Sequence, residues 1–148
     1  MGLTNASTGN SVLNKDVQNL RAESDFVIGL VGNPNVGKSS VFNGLTGLHQ
    51  HTGNWPGKTI ENSYGTYQYE DKQYLLVDLP GTYSLDSYSK EEEVTKEFVE
   101  SNEYDGIVVV LDATSLERNL NLTLQILQRT KKVVVCVNLL DEAKKKGI

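Results

Sequence analysis

The segment Gly32-Asn33-Pro34-Asn35-Val36-Gly37-Lys38-Ser39 sets two glycines, a lysine and a hydroxyl at the spacing G-x-x-x-x-G-K-S/T. An apolar run over 26–31 leads into it, and a helix-like stretch with Val41, Phe42 and Leu45 follows. That strand–loop–helix setting is where this pattern cradles phosphate. Glycines let consecutive backbone N–H groups turn inward around phosphate oxygens, and the helix start adds its positive dipole end. Lys38 would reach the β- and γ-phosphates and the Ser39 hydroxyl would bind Mg²⁺. The chemistry implied is nucleoside triphosphate binding.

A second cluster follows a buried-strand run. Asp78-Leu79-Pro80-Gly81 comes directly after Tyr74-Leu75-Leu76-Val77. Asp78 would hold the Mg²⁺ shell through water, and the Gly81 N–H would meet the γ-phosphate. A third lies at the end of Val133-Val134-Val135-Cys136-Val137, an apolar run expected to be a strand buried on both faces. It closes in Asn138-Leu139-Leu140-Asp141. The Asp141 carboxylate can accept two N–H bonds from the N1 and exocyclic amine edge of guanine; adenine lacks that donor pair, so GTP is expected over ATP. Asn138 would brace the phosphate-loop side, and Leu139 stands where most GTPases carry Lys over the base.

Between the first two clusters lies Gly53-Asn54-Trp55-Pro56-Gly57-Lys58-Thr59. A mobile loop at this point is where a Thr closes on Mg²⁺ when γ-phosphate is present; Thr59 is the candidate, against the plain alternative of a β-branched residue opening a strand. Trp55 has no apolar periodicity around it and reads as a docking or lid residue rather than core. His49 and His51 flank Gln50 without Cys or carboxylates nearby, and a metal site is not expected of them.

Taken together, GNPNVGKS at 32–39, GNWPGKT at 53–59, DLPGTYSL at 78–85, LERNLNLTLQIL at 116–127 and NLLDEA at 138–143 resemble the N-terminal G domain of the FeoB ferrous iron transporters. The likeness covers about residues 26–148; one departure is Lys58, where the family usually has Val, expected to face solvent. The resemblance implies a slowly GTP-hydrolysing, K⁺-stimulated switch domain. Asn35 would coordinate K⁺ where an arginine finger otherwise works, with carbonyls around Gly53, Asn54 and Trp55 completing the shell. Catalysis would then rest on Lys38, Asn35, Thr59 and Gly81. Contacts to GTP or GDP would come from Gly32 through Ser40 (Asn33, Pro34, Val36 and Gly37 among them), from Trp55, Pro56, Gly57 and Thr59, and from Asp78, Gly81, Asn138 and Asp141. Ser39, Thr59 and Asp78 would serve Mg²⁺.

The same resemblance implies a helical regulatory domain and a membrane domain in the same polypeptide, a place on the cytoplasmic face of the bacterial inner membrane, and a possible homo-oligomer. Two other readings stay open: a soluble GTPase of ribosome assembly, and a nucleotide-sensing module with little catalysis. Thr82-Tyr83 after Gly81, with no Gln to orient water, fits slow intrinsic turnover in the leading reading and is consistent with the second of these as well.

These groups need elements to position them. The chain has 148 residues, enough for one α/β domain. Alternating apolar strands and amphipathic helices predict a three-layer P-loop sandwich with a mostly parallel sheet. Residues 66–70 and 73–78, joined at Asp71-Lys72, predict an antiparallel edge hairpin. Ser89-x-x-Glu92 and Thr114-x-x-Glu117 read as capping boxes, and Leu116, Leu120, Leu124 and Leu127 as a core stripe. Folds of this type run on into a final strand and helix, which residues up to Ile148 do not supply. The division expected is therefore a flexible leader over 1–25, with Val12, Val17 and Leu20 a marginal apolar face, and a C-terminally incomplete G domain over 26–148.

Net charge is −5, so nothing favours nucleic acid, which wants a basic face. A single cysteine, Cys136, excludes a disulfide framework. Residues 1–25 lack the basic-then-apolar order of a signal peptide.

Overall fold

The computed structural model describes residues 13–148. Six strands form one sheet in the order β2-β3-β4-β1-β5-β6. They are β1 (Phe26–Gly32), β2 (Gln50–Asn54), β3 (Glu61–Tyr69), β4 (Lys72–Asp78), β5 (Gly106–Asp112) and β6 (Val133–Asn138). Neighbours β4-β1-β5-β6 pair in parallel, and β3 alone runs against the rest, antiparallel to both β2 and β4. The helices are α1 (Lys15–Glu23), α2 (Lys38–Thr46), α3 (Lys90–Ser101), α4 (Leu116–Leu127) and α5 (Leu140–Lys145).

Alternation along the strands sorts the core into two layers. Val27 and Val31 of β1, Leu75 and Val77 of β4, and Ile107 and Val109 of β5 face Leu13, Val17, Val94, Phe98, Leu122 and Ile126 from α1, α3, α4 and the segment before α1. Leu30, Leu76 and Val110 face the opposite way, onto Phe42 of α2 and Val36. Phe98 sits on β1 where Gly29 leaves room: a Cβ there would lie 2.5 Å from its ring. The two-residue turn Glu70-Asp71, both with positive φ, joins β3 to β4, with Tyr69 opposite Lys72. That is the expected hairpin shifted by one residue, and β2 rather than β3 forms the sheet edge.

Four expectations are corrected. Lys15–Glu23 is helical rather than a flexible leader: Asn14 caps it through Val17 N–H (2.9 Å), and Leu13 and Val17 are buried. Val12 lies outside the described residues. The leucines at 116, 120, 124 and 127 are 41–57% exposed; Asn119, Leu122, Thr123 and Ile126 form the inward face of α4 instead. A leucine count at spacings of four and three marks a stripe but not which way it turns. Val134, Val135 and Val137 are exposed, because β6 is the other edge of the sheet. Finally, Ser115 rather than Thr114 stands at the N-terminal cap position of α4, without a side-chain cap bond, while the Thr114 N–H and hydroxyl both donate to Asp112 Oδ1 (2.8 and 2.6 Å).

Candidate nucleotide site

The three chemistry-bearing clusters lie at the C-terminal ends of β4, β1 and β6, parallel strands of one sheet with β5 between β1 and β6, where ligands bind in open α/β sheets. Residues 33–37 leave β1 and enter α2 through two left-handed residues, Asn35 (φ 67°) and Gly37 (φ 84°). Asn tolerates that conformation; at Gly37 no side chain fits, since a Cβ would lie 2.2 Å from Asn138 Nδ2. Asn138 Nδ2 donates to Val36 O (3.0 Å), fastening the end of β6 to the phosphate loop. The same turn brings the Leu139 side chain to 4.0 Å of that Cβ position.

Gly81 approaches from the other side. A Cβ on it would stand 3.2 Å from Pro34 Cα, and Thr82 N–H donates to Gly32 O (3.1 Å). A cavity of about 520 Å³ opens here, lined by Asn33, Pro34, Asn35, Gly37, Lys38, Ser39 and Gly81. That size suits a small-molecule ligand. Asn33 is buried; its Nδ2 donates to Arg118 O (3.4 Å), while its Oδ1 has no partner.

Lys38 Nζ is hydrogen-bonded and ion-paired to Asp78 Oδ1. Burial pushes the Asp78 carboxyl above the usual range, and the Lys38 ammonium pulls it back. The Ser39 hydroxyl, which lines the cavity, and the Asp78 carboxylate paired with Lys38 are hard oxygen donors, the chemistry Mg²⁺ prefers.

The rest of the expected set lies apart from this cavity. Ser40 is exposed on α2 and does not line it. Asp141 is exposed in the first turn of α5. Gly53 pairs with Asn62 in β2, and Pro56, Gly57 and Thr59 are in an exposed or half-exposed turn outside the cavity. Trp55 is corrected outright: it is 3% exposed, a core residue set edge-on to Phe98 at 6.4 Å. The Gly/Pro-rich segment hides this, because its anchor is a single ring reaching a helix 43 residues on. Lys58 does not simply face solvent either. Its Nζ lies 3.0 Å from Glu93 Oε1, and that bond raises the Lys58 pKa and lowers that of Glu93.

Sequence reading missed the residues that hold the segment after Gly81. Glu92 accepts from the Ser84 hydroxyl and from Tyr88 N–H (3.1 Å), and Gln125 of α4 accepts from Leu85 N–H. The capping pattern at Ser89-x-x-Glu92 was the one signal that pointed there. Ser89 does accept from Glu92 N–H (3.1 Å), but the Glu92 side chain serves the loop instead of the cap.

A family model described as ferrous iron transport protein B matches residues 26–148. The chain belongs to the FeoB family. It is 50% identical over 121 residues to the Fe(2+) transporter FeoB of Campylobacter jejuni, covering 82% of this chain and 20% of that protein. The chain thus spans about a fifth of the length of the curated relatives it matches. The G domain of the T. maritima FeoB iron transporter superposes with a TM-score of 0.80 at 42% identity, over 81% of this chain and 76% of that one. A variant of S. thermophilus NFeoB bound to GDP matches at a TM-score of 0.79 and 41% identity, over 83% of this chain and 48% of that one. The fold is therefore that of a FeoB G domain, an α/β P-loop GTPase fold. Helix α1 precedes the matched region.

Proposed function

We propose that this chain binds GTP and GDP at the cavity over residues 33–39, hydrolyses GTP slowly, and serves as the switch domain of a ferrous iron transporter. The observation that carries it is the convergence of Gly37, Lys38 and Gly81 on one cavity, beside a phosphate loop that Asn138 holds through Val36 O. The GDP complex of the S. thermophilus relative supports the nucleotide class.

The chain's own part in the reaction follows. Backbone N–H groups of 33–38 hold the phosphates, with the dipole of α2 behind them. With nucleotide bound, Lys38 would leave Asp78 for the phosphate oxygens, and Ser39 and the freed Asp78 would hold Mg²⁺. Mg²⁺, when bound, neutralises charge on the β- and γ-oxygens. Gly81 N–H supports the γ-phosphate, and Asp141 selects the base. Thr82 follows Gly81 where no Gln is present to orient water, and it is buried and does not line the cavity. Turnover without further help is therefore slow. K⁺ would add charge compensation near the bridging oxygen. Asn35 lines the cavity and can contribute to its shell, whereas Gly53 and Trp55 reach it only if their loop moves. Thr59 depends on the same movement.

Among the described residues no helix is long and apolar enough to cross a membrane. The place of this domain at the cytoplasmic face, its helical and membrane domains and any homo-oligomer belong to the same proposal.

The test is an equilibrium titration of the chain with fluorescent GTP, GDP and ATP analogues in Mg²⁺. Expected is micromolar or tighter guanine nucleotide binding, lost in Lys38→Ala. Equal binding of ATP and GTP would reject the assignment.

A further inference from the structure

The first turn of α3 holds two loops at once, through adjacent carboxylates. Glu92 accepts from Ser84 and Tyr88, on the segment that leaves Gly81. Glu93 accepts from Lys58, the residue before Thr59. One turn further along the same helix, Phe98 receives the edge of Trp55. The helix therefore touches both segments that a γ-phosphate must organise.

The loop between Trp55 and Ile60 is a closed turn. Trp55 N–H donates to Ile60 O (2.9 Å) and Lys58 N–H to Trp55 O (3.0 Å), with Gly57 at φ 72°. Trp55 is its apolar foot and Lys58 its polar tether. The foot is buried and the tether half-exposed, so the tether gives way first. The charges facing the pair are Glu97 beside Lys58 and Lys90 beside Glu93, all on α3. At the other end of the loop Asn14, capping α1, donates to Asn54 O (3.4 Å). Held so, Thr59 is exposed and outside the cavity.

We propose that Lys58 and Glu93 form a latch that keeps Thr59 on the α3 side until GTP draws the loop to the cavity, which makes Lys58 a positioning residue for loop closure. The inference rests on the GTP reading above. Partly exposed ion pairs change equilibria by about two- to five-fold, enough to set a closing rate but not to hold the loop permanently.

Trp55 is the chain's only tryptophan, so intrinsic fluorescence reports its foot directly. The experiment is stopped-flow mixing of the whole chain with Mg²⁺-GTP or Mg²⁺-GDP, following Trp55. GTP should give a slow phase after binding that GDP lacks. Lys58→Met, which keeps the stem, and Glu93→Gln should each speed that phase about two- to five-fold, without changing GDP affinity. The swap Lys58→Glu with Glu93→Lys should restore it. Added choline chloride should accelerate the native chain and leave Lys58→Met unmoved. A GTP phase identical in all variants, or an equal change with GDP, would overturn the latch. A native chain that binds no guanine nucleotide would fail like Lys38→Ala at the binding step, removing both the reading and the gate built on it.

Discussion

Lys38, which lines the phosphate cavity, and Asp78, forty residues on, form an ion pair. The two groups proposed for phosphate and metal thus neutralise each other in this structure. Removing one partner leaves the other buried and unmatched. Lys38→Ala should therefore abolish nucleotide binding and also lower stability by about 1–3 kcal/mol; Asp78→Asn, which can still hydrogen-bond, should lose less stability. Urea unfolding beside nucleotide titration separates the two effects.

Two glycines of the same helix region predict opposite outcomes. Gly37 has φ 84°, and a methyl group there would sit 2.2 Å from Asn138 Nδ2, so Gly37→Ala must break the Asn138 tie. A loss of more than about 1–2 kcal/mol, the left-handed penalty alone, is expected, along with loss of binding. Gly44, inside α2, has nothing within 4 Å of its Cβ position. Gly44→Ala should stabilise by about 0.5–1 kcal/mol with nucleotide affinity intact. Thermal melts of both variants check the pair.

If Asp141 meets the base edge, Asp141→Asn puts a donor there in place of an acceptor. Guanosine nucleotides should weaken, while xanthosine triphosphate, with a carbonyl in place of the amine, should gain. A competition titration reads the exchange; unchanged preference would remove Asp141 from base recognition.

Helix α4 offers a packing test. Leu122 is 1% exposed and Leu124 57%. Leu122→Ala should cost about 2–5 kcal/mol, whereas Leu124→Ala should stay within about 0.5 kcal/mol. Trp55→Ala belongs with the first group, at about 3–5 kcal/mol, which a surface lid would not show. Chemical denaturation midpoints decide.

If Asn35 helps hold K⁺, GTP turnover in KCl should exceed that in NaCl by on the order of tenfold, short of the 10³–10⁵ that arginine fingers supply. Asn35→Ala should erase the difference while leaving Lys38-dependent binding in place. Phosphate release in the two salts measures it.

The parts of this chain whose placement sequence reading captured are those defined locally. Gly32 through Ser39, the end of β4 at Asp78 and the end of β6 at Asn138 are each defined by a few consecutive residues, and strand ends in a parallel sheet bring such segments together. What it missed depends on distant partners. Trp55 needs Phe98, Lys58 needs Glu93, and the burial of Val17 needs a sheet that begins after it. The direction of the leucine stripe was hidden for the same reason: Asn119 and Thr123, polar in sequence, are buried beside Leu122 on the inner face.

The exposed valines of β6 also bear on how the molecule behaves at high concentration. A bare strand edge carrying Val134, Val135 and Val137 is a template for sheet-to-sheet association. Lys131 and Lys132 stand at one end of it, and Lys144, Lys145 and Lys146 lie just beyond the other. Flanking charges of one sign oppose in-register stacking of identical chains. These five lysines guard that edge locally, so replacing them with Gln should raise self-association through β6 even though the net charge becomes more negative.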